Sequence, residues 1–203
     1  MRKLFALTLI AIFCAASARA DEAKQEVREP AGIAVLGDVD PAVVEHVRQW
    51  AVENLAVPVP LLPANGKPAE TLDDAAKWGA TLLSPERVGV VVLTWPSGDV
   101  MTHGIFQETN RVVVVNVKAM KSDHPDDERF RRRMERQVMR GIGLLYGLEL
   151  SPNPQSAMTQ YSSLEELDEI GRNFDPPWLL KFQEKARDYG IPLDTENPFF
   201  MLR

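Results

Sequence analysis

The chain has 203 residues, 45% of them hydrophobic, and carries 23 Lys and Arg against 29 Asp and Glu, for a net charge of −6. That acidity opposes general binding to a phosphate backbone, so nucleic acid is excluded as a partner. Cys14 is the one cysteine, which rules out an intramolecular disulfide and leaves stability to packing.

The first twenty residues, MRKLFALTLIAIFCAASARA, join basic Arg2 and Lys3 to an apolar run and end in Ala18, Arg19 and Ala20. This is the pattern of a secretory signal peptide cleaved after Ala20, and the chain is expected to be secreted or periplasmic. Lipid attachment at Cys14 is disfavoured because bulky Phe13 precedes it, where a small residue is wanted. Cleavage removes Cys14 with three basic residues and leaves 20 basic against 29 acidic side chains, or −9. No later segment approaches the ~18 to 20 apolar residues of a membrane span, so no membrane insertion is expected after cleavage.

Residues 21–31 lack periodicity and read as a flexible lead-in, with one domain expected over 32–203. Its first element is the apolar run GIAVLGDV from Gly32, a strand. Asp40 then caps a helix with Pro41 at its first position, and Val43, Val44, Val47, Trp50, Ala51 and Leu55 recur at helical spacing. VPVPLLP (57–63) alternates prolines with apolar residues and suits an edge strand, because proline cannot donate to a central ladder. TLDDAAKWGATLLS follows as a second helix.

Two nearly continuous valine runs, RVGVVVLTW (87–95) and RVVVVNV (111–117), have the composition of strands covered on both faces. The weaker VMTHGIFQE (100–108) between them reads as an antiparallel edge strand joined to the second run by a tight hairpin. The longest helix is expected from Pro125 to about Tyr146, with Phe130, Met134, Val138, Ile142 and Leu145 as its apolar stripe and Gly147 as its left-handed terminator. SLEELDEIGRN and PPWLLKFQEKARDYG are the last two helices, with Trp178, Leu179, Leu180 and Phe182 expected in the core.

RGIGLLYGLELSPNPQSAM (140–158) carries the chemistry, or its loss. Its Gly143, Leu145, Gly147, Leu148, Pro152 to Pro154 and Met158 resemble the archaemetzincins, zinc peptidases of the metzincin group. Their motif is His-Glu-x-x-His-x-x-Gly-x-x-His-Cys, then four residues, Cys, one residue and Met, with a further Cys-x-x-Cys downstream. With Gly147 as the motif glycine, the three histidines fall on Arg140, Leu144 and Leu150, and the glutamate falls on Gly141. The two cysteines fall on Ser151 and Ser156, the methionine on Met158, and the region of the last cysteine pair, NFDPPWLL, holds none.

The resemblance spans roughly residues 32–190. It implies an α/β (α+β), zincin-like fold: a mixed five-stranded sheet with an antiparallel edge strand, a long active-site-type helix and a small helical C-terminal part.

In such a site two histidines four apart share a zinc, a third completes the set, and the glutamate takes a proton from the metal's water. Arg140 stays protonated, Leu144 and Leu150 have no lone pair, and Gly141 has no side chain to act as a base. The expectation is therefore a degenerate family member, with no catalytic residue, no zinc and Gly147 and Met158 kept as structural parts. Leu144 and Leu150 are expected to plug the former metal position above Met158.

His46, His103 and His124 have no ligand-like spacing, though His103 on the edge strand could face the former cleft. The function expected is an inactive pseudo-metalloprotease that binds a peptide or envelope protein along the edge strand. Arg140 and His103 are its candidate binding residues, with Arg140 a partner for a carboxylate. The alternative is an active zinc-dependent peptidase with non-standard ligands, chiefly His103. A metal-free hydrolase finds no support, since Ser151 and Ser156 have no histidine near them in sequence. The arginines of RFRRRMERQVMR are expected to form a solvated flank paired with nearby acids, Arg140 excepted.

Overall fold

The valine runs form the centre of a mixed sheet. The computed structural model describes residues 27–63 and 66–196; the expected signal peptide lies outside them. Strands β1 (Gly32–Leu36), β2 (Val90–Thr94), β3 (Gly104–Gln107) and β4 (Val112–Asn116) are ordered β1-β2-β4-β3. β1 and β4 flank β2 in parallel, and β3 closes the far side antiparallel to β4.

Strand periodicity divides the core. Val90, Val92, Val112 and Val114 face helix α2 (Leu72–Ala80), while Val91, Leu93, Val113 and Val115 face the larger core under helices α1 (Pro41–Leu55), α4 (Asp127–Leu145) and α6 (Pro176–Asp188). Both faces are thus covered, as continuous valine runs require. Asp40 caps α1 by accepting from the Ala42 amide, with Pro41 at the first position. Among the described residues no helix is long and apolar enough to cross a membrane.

Four expectations need correction. The sheet has four strands, not five. The segment 57–63 runs beside β1, but pairing stops at one bridge, Leu61 to Ile33, because Pro58, Pro60 and Pro63 cannot donate. The edge strand is shorter than 100–108, since Val100 and Thr102 instead give their carbonyls to the side chain of buried Asn116. The end of the lead-in is held, because Glu29 bridges Arg87 and the Arg28 amide donates to the Tyr189 carbonyl.

A short helix unseen in the sequence, α3 (Val117–Met120), follows β4 directly and is capped by Asn116 Oδ1. Helix α5 (Leu164–Glu169) and α6 complete the C-terminal part. Leu179 and Phe182 of α6 are buried as expected, whereas Leu180 is 54% exposed on its outer side and Trp178 is half-buried.

Candidate functional site

Helix α4 runs beneath the sheet toward the edge strand, and a cavity of about 450 Å³ opens between them. Its wall includes His103, Phe106, Gln137, Arg140, Leu144 and Tyr161. Gln137, Arg140, Gly141 and Leu144 meet there because residues three and four apart share one helix face.

Arg140 is half-buried; its Nη1 donates to the Thr159 carbonyl at 2.6 Å and its guanidinium lies 5.4 Å from the centre of the Tyr161 ring. Burial lowers its pKa, with Tyr161 opposing, yet a guanidinium remains charged at any physiological pH. Among the described residues it forms no ion pair with a carboxylate. Its neighbour Gln137 is 6% exposed, and its Nε2 makes no hydrogen bond of ordinary length.

Tyr161 carries His103 as well, the two rings stacked 5.6 Å apart at 12°. Burial raises the Tyr161 pKa, opposed by the Arg140 charge and by Gln137. Burial chiefly, and the Arg133 cation next, lower that of His103, while Glu165 opposes them. Both effects favour the neutral imidazole.

The expected plug does not form. Leu144 lines the cavity and is only half-buried, and Leu150 is 43% exposed and contributes nothing to the cavity wall. The glycine turn sends the chain outward before Leu150: Gly147 has φ 77°, and the Leu148 amide bonds the Gly143 carbonyl while the Gly147 amide bonds that of Leu144. The space near the end of the helix is filled by Met158, fully buried, whose Sδ would lie 2.6 Å from a Cβ at position 143. Gly141 faces the sheet so closely that a Cβ would stand 3.0 Å from Val113 Cγ1.

The arginine run is also less solvated than expected. Arg133 is wholly buried: its guanidinium grips Asp168 through Nε and Nη2, Asp123 through Nη1 and Nη2, and the Met120 carbonyl through Nη1. Arg136 donates to the carbonyls of Ile170 and Asp168. Partners from distant segments hold these side chains inward, and Arg129, though exposed, pairs with distant Asp168, so only Arg131 and Arg132 match the expected flank.

The positions assigned to the cysteines do converge. Ser151 Oγ donates to Asp175 Oδ1 at 3.1 Å, and the Asp175 amide reaches Ser156 Oγ at 3.5 Å; all three residues are buried. Asp175 belongs to NFDPPWLL, the region in which the resemblance places the last cysteine pair. His46 and His124 lie elsewhere: His46 Nε2 is 2.8 Å from Glu135 Oε1, and His124 is exposed before α4.

The residues present do not fit a catalytic zinc. Arg140 and Leu144 offer no lone pair, His103 is one donor, and among the described residues no group of three His, Cys, Asp or Glu side chains converges. Gln137 is missed by the sequence reading, although its place one turn before Arg140 and Gly141 puts it on the same helix face. Tyr161 is missed as well and carries no periodic signal, because it sits on an irregular loop.

No protein-family model matches the chain, and no curated protein matches it. Three solved structures share its architecture. An archaemetzincin of Methanopyrus kandleri superposes with a TM-score of 0.59 at 20% identity, covering 79% of this chain and 96% of its own. A zinc-dependent peptidase of Methanocorpusculum labreanum gives 0.60 at 15%, covering 75% and 99%. An archaemetzincin of Archaeoglobus fulgidus, complexed with malonate, gives 0.55 at 18%, covering 75% and 99%. The fold is archaemetzincin-like.

Proposed function

We propose that this chain is an exported archaemetzincin-like protein without metallopeptidase activity, and that it binds a peptide or protein segment along β3. The observation that carries the reading is the cavity wall. Arg140, Gly141 and Leu144 stand where the resemblance calls for a ligand, a base and a second ligand, and none has the chemistry. What remains of the family's cleft is its edge strand. β3 ends the sheet, and its open side requires only backbone groups to accept another strand.

The test uses the chain from Asp21 to Arg203, refolded or secreted without chelator. Metal analysis is expected to give far less than one zinc per chain, and added zinc to produce no cleavage of an unstructured protein substrate. Stoichiometric zinc with chelator-sensitive cleavage would reverse the reading in favour of an active peptidase that uses His103.

A further inference from the structure

A desolvated cation and an unsatisfied amide lie side by side on α4. Arg140 commits one N–H to Thr159 and meets no carboxylate among the described residues, although a guanidinium has five donors in a fork that matches a carboxylate. Gln137, in a side chain more than nine-tenths buried, lines the same cavity, and its Nε2 makes no hydrogen bond of ordinary length, only a loose interaction with Tyr161. A buried donor without a partner is unfavourable, so donors of two side chains lining one space favour a ligand that accepts from both. The contrast with Arg133 is informative, because that side chain, on the same helix, is neutralised by Asp123 and Asp168.

The edge strand gives the direction of the ligand. The Asn116 amide donates to the His103 carbonyl, so His103 turns its backbone toward β4. Alternation along an antiparallel pair then leaves the amides and carbonyls of Gly104 and Phe106 facing the open edge. His103, at the start of β3, stacks on Tyr161, which also carries Arg140. An added strand therefore reaches the guanidinium at the N-terminal end of β3.

We infer that Arg140 and Gln137 form a pocket for the C-terminal carboxylate of a peptide, whose last residues run antiparallel to β3 and bond to Gly104 and Phe106. The carboxylate lies in the fork of Arg140, accepts a further hydrogen bond from Gln137 Nε2, and rests beside His103 and Tyr161. No bond is made or broken, and the former metal position becomes a point of recognition. This rests on the proposed docking along β3 and adds to it the chemical end of the peptide.

The experiment is an array of randomised hexapeptides made twice, with free carboxy-termini and with C-terminal amides, followed by solution titration of the strongest binders in both forms. The expected result is binding at least about tenfold tighter for the free acid, the lower bound for hydrogen bonds to a charged group. Arg140→Gln should remove that preference, and so should Gln137→Glu, whose charge repels the carboxylate. Circular dichroism of each variant establishes that it is folded, and the acid-to-amide comparison on the unaltered protein requires no variant.

Equal affinity for the two forms overturns the carboxylate pocket while leaving docking along β3 intact. Binding of amidated peptides with an internal aspartate as tightly as the free acids also overturns it, since the source is then a side chain. Binding of malonate with no peptide overturns it in favour of a small-molecule site. Failure of every peptide in both forms overturns this inference and the proposed function together.

Discussion

Replacing Arg133 with methionine tests whether the C-terminal part is held by this fully buried guanidinium. Arg133 binds Asp168 at 2.8 and 2.6 Å and Asp123 at 2.5 and 2.7 Å, each in bidentate geometry, and it reaches the Met120 carbonyl at 3.0 Å. It thereby ties α4 to α5 and to the loop after α3. Removing one partner of a buried ion pair costs roughly 3 to 5 kcal/mol, because the remaining charges stay desolvated. The Asp123 side chain is 35% exposed and that of Asp168 15%, and Arg129 Nε remains 3.0 Å from Asp168, so neither carboxylate is left wholly uncompensated and the low end applies, about 3 kcal/mol.

For a domain of this size, with roughly 2 to 4 °C per kcal/mol, the melting temperature should fall by about 6 to 12 °C, followed by circular dichroism with urea unfolding as a second measure. Replacing Asp123 and Asp168 with leucine in the same chain should recover part of the loss, since no unpaired carboxylate then remains. An Arg133→Met protein within about 1 kcal/mol of the parent would refute the reasoning, showing that solvent already competes for both carboxylates.

Three further outcomes are expected. The Arg133 hydrogen bond holds Asp123 below the ordinary carboxylate range. Its contribution is therefore complete above the unfolded value of about 3.9 and is lost as pH falls through the lower folded value; the urea midpoint should decline more steeply with acid in the parent than in Arg133→Met, and parallel curves would contradict this. Gly141→Glu, which restores the family's base, should lower stability: overpacking of about 1 to 3 kcal/mol against Val113 and Val91 outweighs a helix-propensity gain of at most about 1, and a more stable variant would mean the helix has room. Met158→Ala should cost about 2 to 5 kcal/mol and Leu150→Ala about 0.5 or less; equal losses would restore the idea of a leucine plug.

The elements readable in the sequence were those whose signal is local. Asp40 before Pro41, the two valine runs and Gly147 each act through their own backbone or immediate neighbours, and the structure has them in the expected roles. The alternating apolar residues of segment 57–63 suggest a strand, but ladder formation depends on amides that its prolines lack. Nothing local marks Arg133 and Arg136 as buried, because the partners that draw them inward, Asp168 and the carbonyl of Ile170, lie more than thirty positions away. Leu150 was placed in the cavity by the spacing of the motif. Spacing fixes position along the chain, while the direction of a side chain after a left-handed glycine is fixed by the contacts that follow it.

The Ser151, Ser156 and Asp175 cluster bears on the conditions this chain tolerates. Thiolates at such a bend would be open to oxidation, and a bend drawn shut by an ion would depend on its supply. Hydroxyls do not climb that oxidation ladder, and Asp175 is supplied by the polypeptide itself. The junction between the end of α4 and the start of α6 is thus closed by groups indifferent to redox poise and to chelators. The same geometry can persist in an oxidising compartment and in a reducing one.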